Sequence, residues 1–236
     1  MIAAARLAEV ADAFEAAISK EFGAEVITKE DSSLHRTIAD AFDVAHMGRD
    51  KAAELASFIS FDVPDMRLPT GAEYLSDFGT TVGEDVALPR KWRTDVQRAA
   101  TRLVLLPHEV THVTQHKRGV DAGWWPKRVG HSVLYLYSVA SDDASEYLGK
   151  VEGDAYGVSA DLELWLTGKR RPVASVVDSL RRQYAIRPAG AIAAEAVLHS
   201  HYATQDDGGV ANVTVGRWSI DWLNANAADL KGAVTL

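Results

Sequence analysis

The chain has 236 residues, 47% of them hydrophobic and 25% charged, with no cysteine. That length suits one globular domain with an ample core, and the near-average composition argues against wholesale disorder. The missing cysteine excludes a disulfide scaffold, a thiol nucleophile, a thiolate zinc site and a cysteine-ligated iron–sulfur cluster, while 33 acids against 25 bases, a formal net charge of −8, argue against a dominant basic face for nucleic acid.

Any metal in this chain must therefore be held by histidine and carboxylate, so the eight histidines are the residues to follow. No run of 18 apolar residues is present, so no membrane span is expected. The start of the chain carries Arg6, Glu9 and Asp12 among alanines. It reads as an amphipathic helix rather than a signal peptide, which gives a cytoplasmic expectation with signal-independent export left open.

In chain order, Leu7, Val10, Phe14, Ile18 and Phe22 recur at helical spacing over residues 3–22, with Gly23 as a stop. Glu25-Val26-Ile27-Thr28 reads as a short strand. Residues 35–60 read as helical, with His46-Met47-Gly48 as a weak point, so that 1–60 forms a helical N-terminal part. Residues 61–90 are rich in Pro and Gly and read as loops with short strands at Thr80-Thr81-Val82 and Val86-Ala87-Leu88.

A long helical pattern starts with Thr94 as N-cap and ends at Gly119. Pro107 within it either kinks one helix or starts a second. A loop with Trp124 and Trp125 follows, and the two indoles read as core anchors or as the lining of a substrate pocket. Residues 131–140 suit strand or helix. Helices are expected over 144–167, 173–184, 189–204 and 217–230, the last three forming a helical C-terminal part over 173–236.

The chemistry-bearing stretch is His108-Glu109-Val110-Thr111-His112, an HExxH motif inside the long helical pattern. Spacing of i and i+4 puts both imidazoles on one face, one turn apart, where they can grip one ion. Glu109 beside them can act as general base. About 0.015 such matches are expected by chance in a chain of this composition. The bland alternative is a pair of satisfied histidines on a buried helix. A catalytic zinc site needs a third protein ligand and an open position. His116 lies near the same face but far along the axis.

The motif, extended by Val113 and Gln115, resembles the zincin metallopeptidase superfamily. Positions 115 and 118 hold Gln115 and Arg118, where the metzincin pattern has glycine and histidine. The resemblance is to the gluzincin branch, whose third ligand is a glutamate on a later helix. On that resemblance Glu152 is the third ligand, forty residues after His112 and three before Ala155. Glu146, Asp154 and Asp161 are its rivals. The small Ala155 would let the two helices approach closely.

The likeness covers about 65 residues, from the Thr80–Leu88 region to the 144–167 helix. It is similar to bacterial zincin-like domains found as modules in secreted or injected assemblies. It implies an α+β, mostly helical, zincin-like single domain over 1–236, with a small twisted sheet packed on the active-site helix. It also implies Zn²⁺ and hydrolysis of a peptide or protein substrate. In the branch, an aspartate often stands four residues after the ligand glutamate; here that position is Tyr156, so Asp154 or Asp161 would have to support the ligand histidine.

Tyr156, one turn from Glu152, is the first candidate for the oxyanion donor. His131, Tyr135, Tyr137, His199, His201 and Tyr202 are the others, with Glu195 four residues before His199. The Thr80–Leu88 segment would receive an extended peptide at its edge. Two other readings compete with a zinc endopeptidase. One is a catalytically silent zincin scaffold serving as a structural or binding module in a larger assembly. The other is a metal-independent helical interaction protein in which the motif is coincidence.

Overall fold

The structure is a computed structural model that describes residues 4–44, 47, 69–123, 141–184, 186–210 and 214–234. The weak point at His46 and Gly48, the Trp124-Trp125 loop, residues 131–140 and most of 45–68 lie outside the described residues. The architecture is α+β and mostly helical, with one three-stranded sheet. Among the described residues, no helix is long and apolar enough to cross a membrane.

Helix α1 (Ala4–Phe22) buries Val10, Phe14 and Ile18, the face that the spacing picks out. Strand β1 (Glu25–Thr28) follows. The described residues 33–44 are helical and are labelled α2, and α3 spans Gly71–Asp77. The loop reading of 61–90 misses α3. Its signal was local: the Thr70 hydroxyl accepts from Glu73 N while the Glu73 carboxylate accepts from Thr70 N, a reciprocal cap that nucleates a short helix.

Strands β2 (Thr80–Val82) and β3 (Asp85–Leu88) complete the sheet. The order is β1-β3-β2, with β3 parallel to β1 and antiparallel to β2. Val86 sits between Val26 and Thr81.

The long helix begins later than its apolar spacing suggests. Thr94 is instead the last residue of the short helix α4 (Arg90–Thr94), and its hydroxyl donates back to Arg90 O. Asp95 caps a 3₁₀ turn over Val96–Arg98, accepting from Gln97 N at 2.9 Å, and the long helix itself has Arg98 as N-cap without a side-chain cap bond. Helix α5 then runs as one element from Ala99 to Asp121, through Pro107 and past Gly119. Residues 106–113 of α5 are buried without a break. A polar group in that stretch must find a partner inside the protein or lose free energy.

Helix α6 (Asp142–Thr167) starts at Ser141, whose hydroxyl accepts from Ala144 N, and stops at Gly168 in the left-handed conformation, φ 71°. Helices α7 (Val173–Tyr184), α8 (Pro188–Asp206) and α9 (Val215–Asn226) follow.

Helix α6 lies between two apolar clusters. Val158, Leu162 and Leu166 join Phe14 and Ile18 of α1, Leu103, Leu106 and Val110 of α5, Val86 and Leu88 of β3, and Leu223 of α9. Leu148, Tyr156 and Ala160 join α7 and α8 through Val176, Leu180, Ala191 and Leu198. The second contact is close because Gly149, Gly153 and Gly157 recur every four residues and so form one stripe on α6. A Cβ at Gly149 would lie 2.0 Å from Gly190 O, and one at Gly157 would lie 1.7 Å from His201 Nδ1. This stripe sets how near α8 comes. It places α6 with one face on α5 and the other on α8.

Candidate metal centre

The i, i+4 spacing on α5 brings His108 and His112 side by side, their Nε2 atoms 3.2 Å apart and their rings edge to face. From α6, Glu152 reaches both. Its Oε1 is 3.5 Å from His112 Nε2 and its Oε2 is 3.7 Å from His108 Nε2. All three side chains are buried. For a tetrahedral ion with ligand bonds of about 2.0–2.1 Å, neighbouring donor atoms stand about 3.3 Å apart. The Nε2–Nε2 separation, and the shortest carboxylate approach to each imidazole, made by a different oxygen in each case, match that figure to within a few tenths of an ångström.

Hydrogen bonding fixes which ring atoms carry protons. The Gln115 amide NH₂ donates to Val151 O at 3.1 Å and to Asp154 Oδ2 at 3.2 Å, both on α6. Its amide oxygen therefore faces His112 Nδ1, 2.8 Å away. An amide oxygen only accepts, so Nδ1 holds the proton and Nε2 presents a lone pair. The opposite edge of His108 faces α6. There the backbone of Ala155 accepts a hydrogen bond from the ring, and Ser159 Oγ lies 3.5 Å from Nδ1.

Both Nε2 lone pairs and the Glu152 carboxylate thus converge on one buried point. Three acceptors repel there unless a cation joins them, and two neutral imidazoles with a carboxylate suit a divalent metal. Burial, then the neighbouring His112 and Arg171, push His108 well below the usual histidine range, which keeps it neutral as a ligand must be. The buried group His108, His112 and Glu152 can hold a metal ion.

The Glu109 carboxylate is bound by the sheet. Thr81 Oγ1 of β2 donates to Glu109 Oε2 at 2.7 Å and also lies 3.0 Å from Glu109 O. On the other side the carboxylate packs on Gly79, where a Cβ would sit 2.6 Å from Glu109 Oε1. Tyr156 stands edge-on to the His108 ring, centroids 4.7 Å apart, with the Arg171 guanidinium 5.8 Å from its own ring centre.

The rival carboxylates have other places. Glu146 pairs at the surface with Lys150 at 2.6 Å. Asp161 accepts from Gln205 Nε2 at 2.8 Å. Asp154 is the carboxylate that backs a ligand, through Gln115, and it also faces His201 Nε2 at 3.6 Å. His116 is buried on α5 but is outside the three-residue group.

Of the other oxyanion candidates, His199 is exposed beside Glu195, 3.8 Å away. Tyr202 donates its hydroxyl to Arg171 O at 2.7 Å and packs in the α6–α7–α8 cluster. His131, Tyr135 and Tyr137 lie outside the described residues. Sequence reasoning did not identify Gln115, Thr81 and Gly79 as working residues. Gln115 had a readable signal, a polar side chain three residues after a ligand on the same helix face. Thr81 and Gly79 had none, because their contacts with Glu109 cross 28 residues of chain or more. No family model, curated protein or solved structure matches the chain.

Proposed function

We propose that the protein is a zinc-dependent peptidase with a zincin-like arrangement of helix and sheet. One observation carries the reading: an HExxH helix and a glutamate from a second helix turn three donors onto one buried point, while the motif's own glutamate is held apart on a strand. The donor set contains no thiolate and offers three protein ligands, the pattern of catalytic rather than structural zinc sites. The sheet adds support, since among the described residues β2 pairs with β3 on one side only and runs antiparallel to it beside Glu109.

His108, His112 and Glu152 would hold the ion. When bound, zinc supplies Lewis acidity, polarising the scissile carbonyl and making a water acidic enough to attack near neutral pH. Glu109 takes the proton from the attacking water and returns it to the leaving amine. Thr81 and Gly79 keep its carboxylate in one orientation for both transfers. Gln115 and Ala155 hold the two imidazoles in the ligating tautomer. Tyr156, packed on a ligand ring, is assigned the donor to the developing oxyanion. The side of β2 away from β3 would pair with an extended substrate backbone.

The test joins metal analysis to cleavage of a generic unfolded protein. We expect about one zinc per chain and a Glu109→Gln variant that keeps the metal while losing about 10²–10⁴-fold in rate. Undiminished cleavage by that variant refutes the base assignment. Full zinc content with no cleavage by the native chain would leave the silent scaffold as the better reading.

A further inference from the structure

Lys29 is a fully buried lysine with no part in metal binding. It follows β1 directly, and its side chain points inward between the sheet and α3. There Nζ donates to Tyr74 O at 2.8 Å, to Phe78 O at 3.1 Å and to Thr80 Oγ1 at 2.7 Å, using all three of its protons. The ammonium also sits 3.5 Å from the centre of the Tyr74 ring.

These acceptors are not scattered. Tyr74 O and Phe78 O belong to the C-terminal end of α3, and Thr80 opens β2. Lys29 therefore clamps the turn that leads from α3 into the strand. The next residues along are those that hold the carboxylate. Gly79 packs on Glu109 Oε1, and Thr81 donates to Glu109 Oε2. Thr80 Oγ1 also lies 2.7 Å from Gly79 O, so its hydroxyl stands between the Lys29 contact and the Gly79 backbone.

We infer that Lys29 is a positioning residue for Glu109, acting through the Gly79–Thr81 segment that it fastens to the end of α3. The inference rests on Glu109 being the general base.

Electrostatics agree with the geometry. Glu109 and Glu30 are the carboxylates whose charge reaches Lys29, and both favour its protonated form. His35 and Tyr74 are its other titratable neighbours. Burial outweighs the carboxylates and brings the Lys29 ammonium down to about 7. An apolar side chain at this position would leave Tyr74 O, Phe78 O and Thr80 Oγ1 without the donor that joins them.

The experiment uses the full chain with Lys29→Met, Thr80→Val and Thr81→Val. Thr80→Val keeps the lysine and its two carbonyl contacts, so it remains informative if Lys29→Met folds poorly. The Glu109 carboxyl ¹³C resonance, assigned by its disappearance in Glu109→Gln, reports the carboxylate directly and needs neither metal nor substrate. It should move in all three variants. A resonance that shifts in Thr81→Val but stays at its native position in both Lys29→Met and Thr80→Val overturns the inference.

With zinc and an unfolded protein substrate, kcat should fall about tenfold in Thr80→Val with KM unchanged. The Lys29→Met and Thr81→Val losses should not add in the double variant. A native chain that cleaves nothing counts against the peptidase reading alone, since the resonance still decides the role of Lys29.

Discussion

The two halves of the site are built on different principles. On the ligand side, His108 and His112 share α5, Glu152 sits on α6, and their supports Gln115, Asp154, Ala155 and Ser159 lie on the same two helices. Everything there is held by helix periodicity and one helix–helix contact. On the base side, Glu109 leaves α5 for a strand, and that strand is fastened through Lys29 to the end of α3. Three donors can be aimed from two rigid rods. The Glu109 carboxylate, the proposed base, is held instead by hydroxyl and backbone groups from a separate layer of the fold.

The contrast is broken most severely by removing a ligand. Glu152→Ala should take the chain from about one metal ion to about none under dialysis, because the remaining pair supplies only two donors. The same loss should appear as stability. A bound ion present at 1,000 times its dissociation constant adds about 4 kcal/mol, so chelation should lower the unfolding midpoint of the native chain. It should leave Glu152→Ala nearly unmoved. A variant that still binds metal at full affinity would transfer the third-ligand role away from Glu152.

A smaller effect separates the halves cleanly. Gln115→Ala removes the acceptor that fixes the His112 tautomer and should weaken metal affinity about 10–100-fold. At saturating metal its kcat should be near native, because Glu109 is supported from the opposite side. The defect should therefore disappear on adding metal, which no change on the base side allows. Competition against a chromophoric chelator measures the first quantity, and rate against metal concentration measures the second.

The ligand side was largely legible in the sequence for the same reason that it is rigid. Spacing of four on α5 announces His108 and His112, and a helix periodic over 144–167 offers a few carboxylates from which a resemblance selects Glu152. The base side was not legible. Helix α3 rests on a four-residue cap, Thr70 to Glu73, too short to show apolar periodicity. The Lys29 contacts span 45 to 51 residues of chain, and nothing local distinguishes a buried lysine from a solvated one.

The glycine stripe on α6 lay between these extremes. Its period of four is visible at Gly149, Gly153 and Gly157, yet only the contacts with Gly190 and His201 show what it is for. The start of α5 lies later than Thr94 because Thr94 ends α4 and a 3₁₀ turn over Val96–Arg98, capped by Asp95, leads into the helix.

The subtlest expected effect tests the base side alone. Lys29 falls from 10.5 to about 7 in the folded chain, chiefly through burial and against the pull of Glu109 and Glu30. Between those values the unfolded chain binds a proton that the folded chain does not. Stability should therefore rise with pH across that window, by at most about 1.4 kcal/mol per pH unit, and the cost of the buried charge is fully present below its lower edge.

His35, held down to about 4 by burial and then by Lys29, acts in a separate window. Its contribution is lost as pH falls from 6.5 toward that value. Comparing urea midpoints of the native chain and Lys29→Met at pH 7, 8 and 9 isolates the lysine, because all other titrations are shared to first order. The native chain should gain on the variant as pH rises. A constant difference would mean that the three acceptors and the two carboxylates keep Lys29 charged throughout, and the clamp on the Glu109 strand would then be a fixed ion rather than a titrating one.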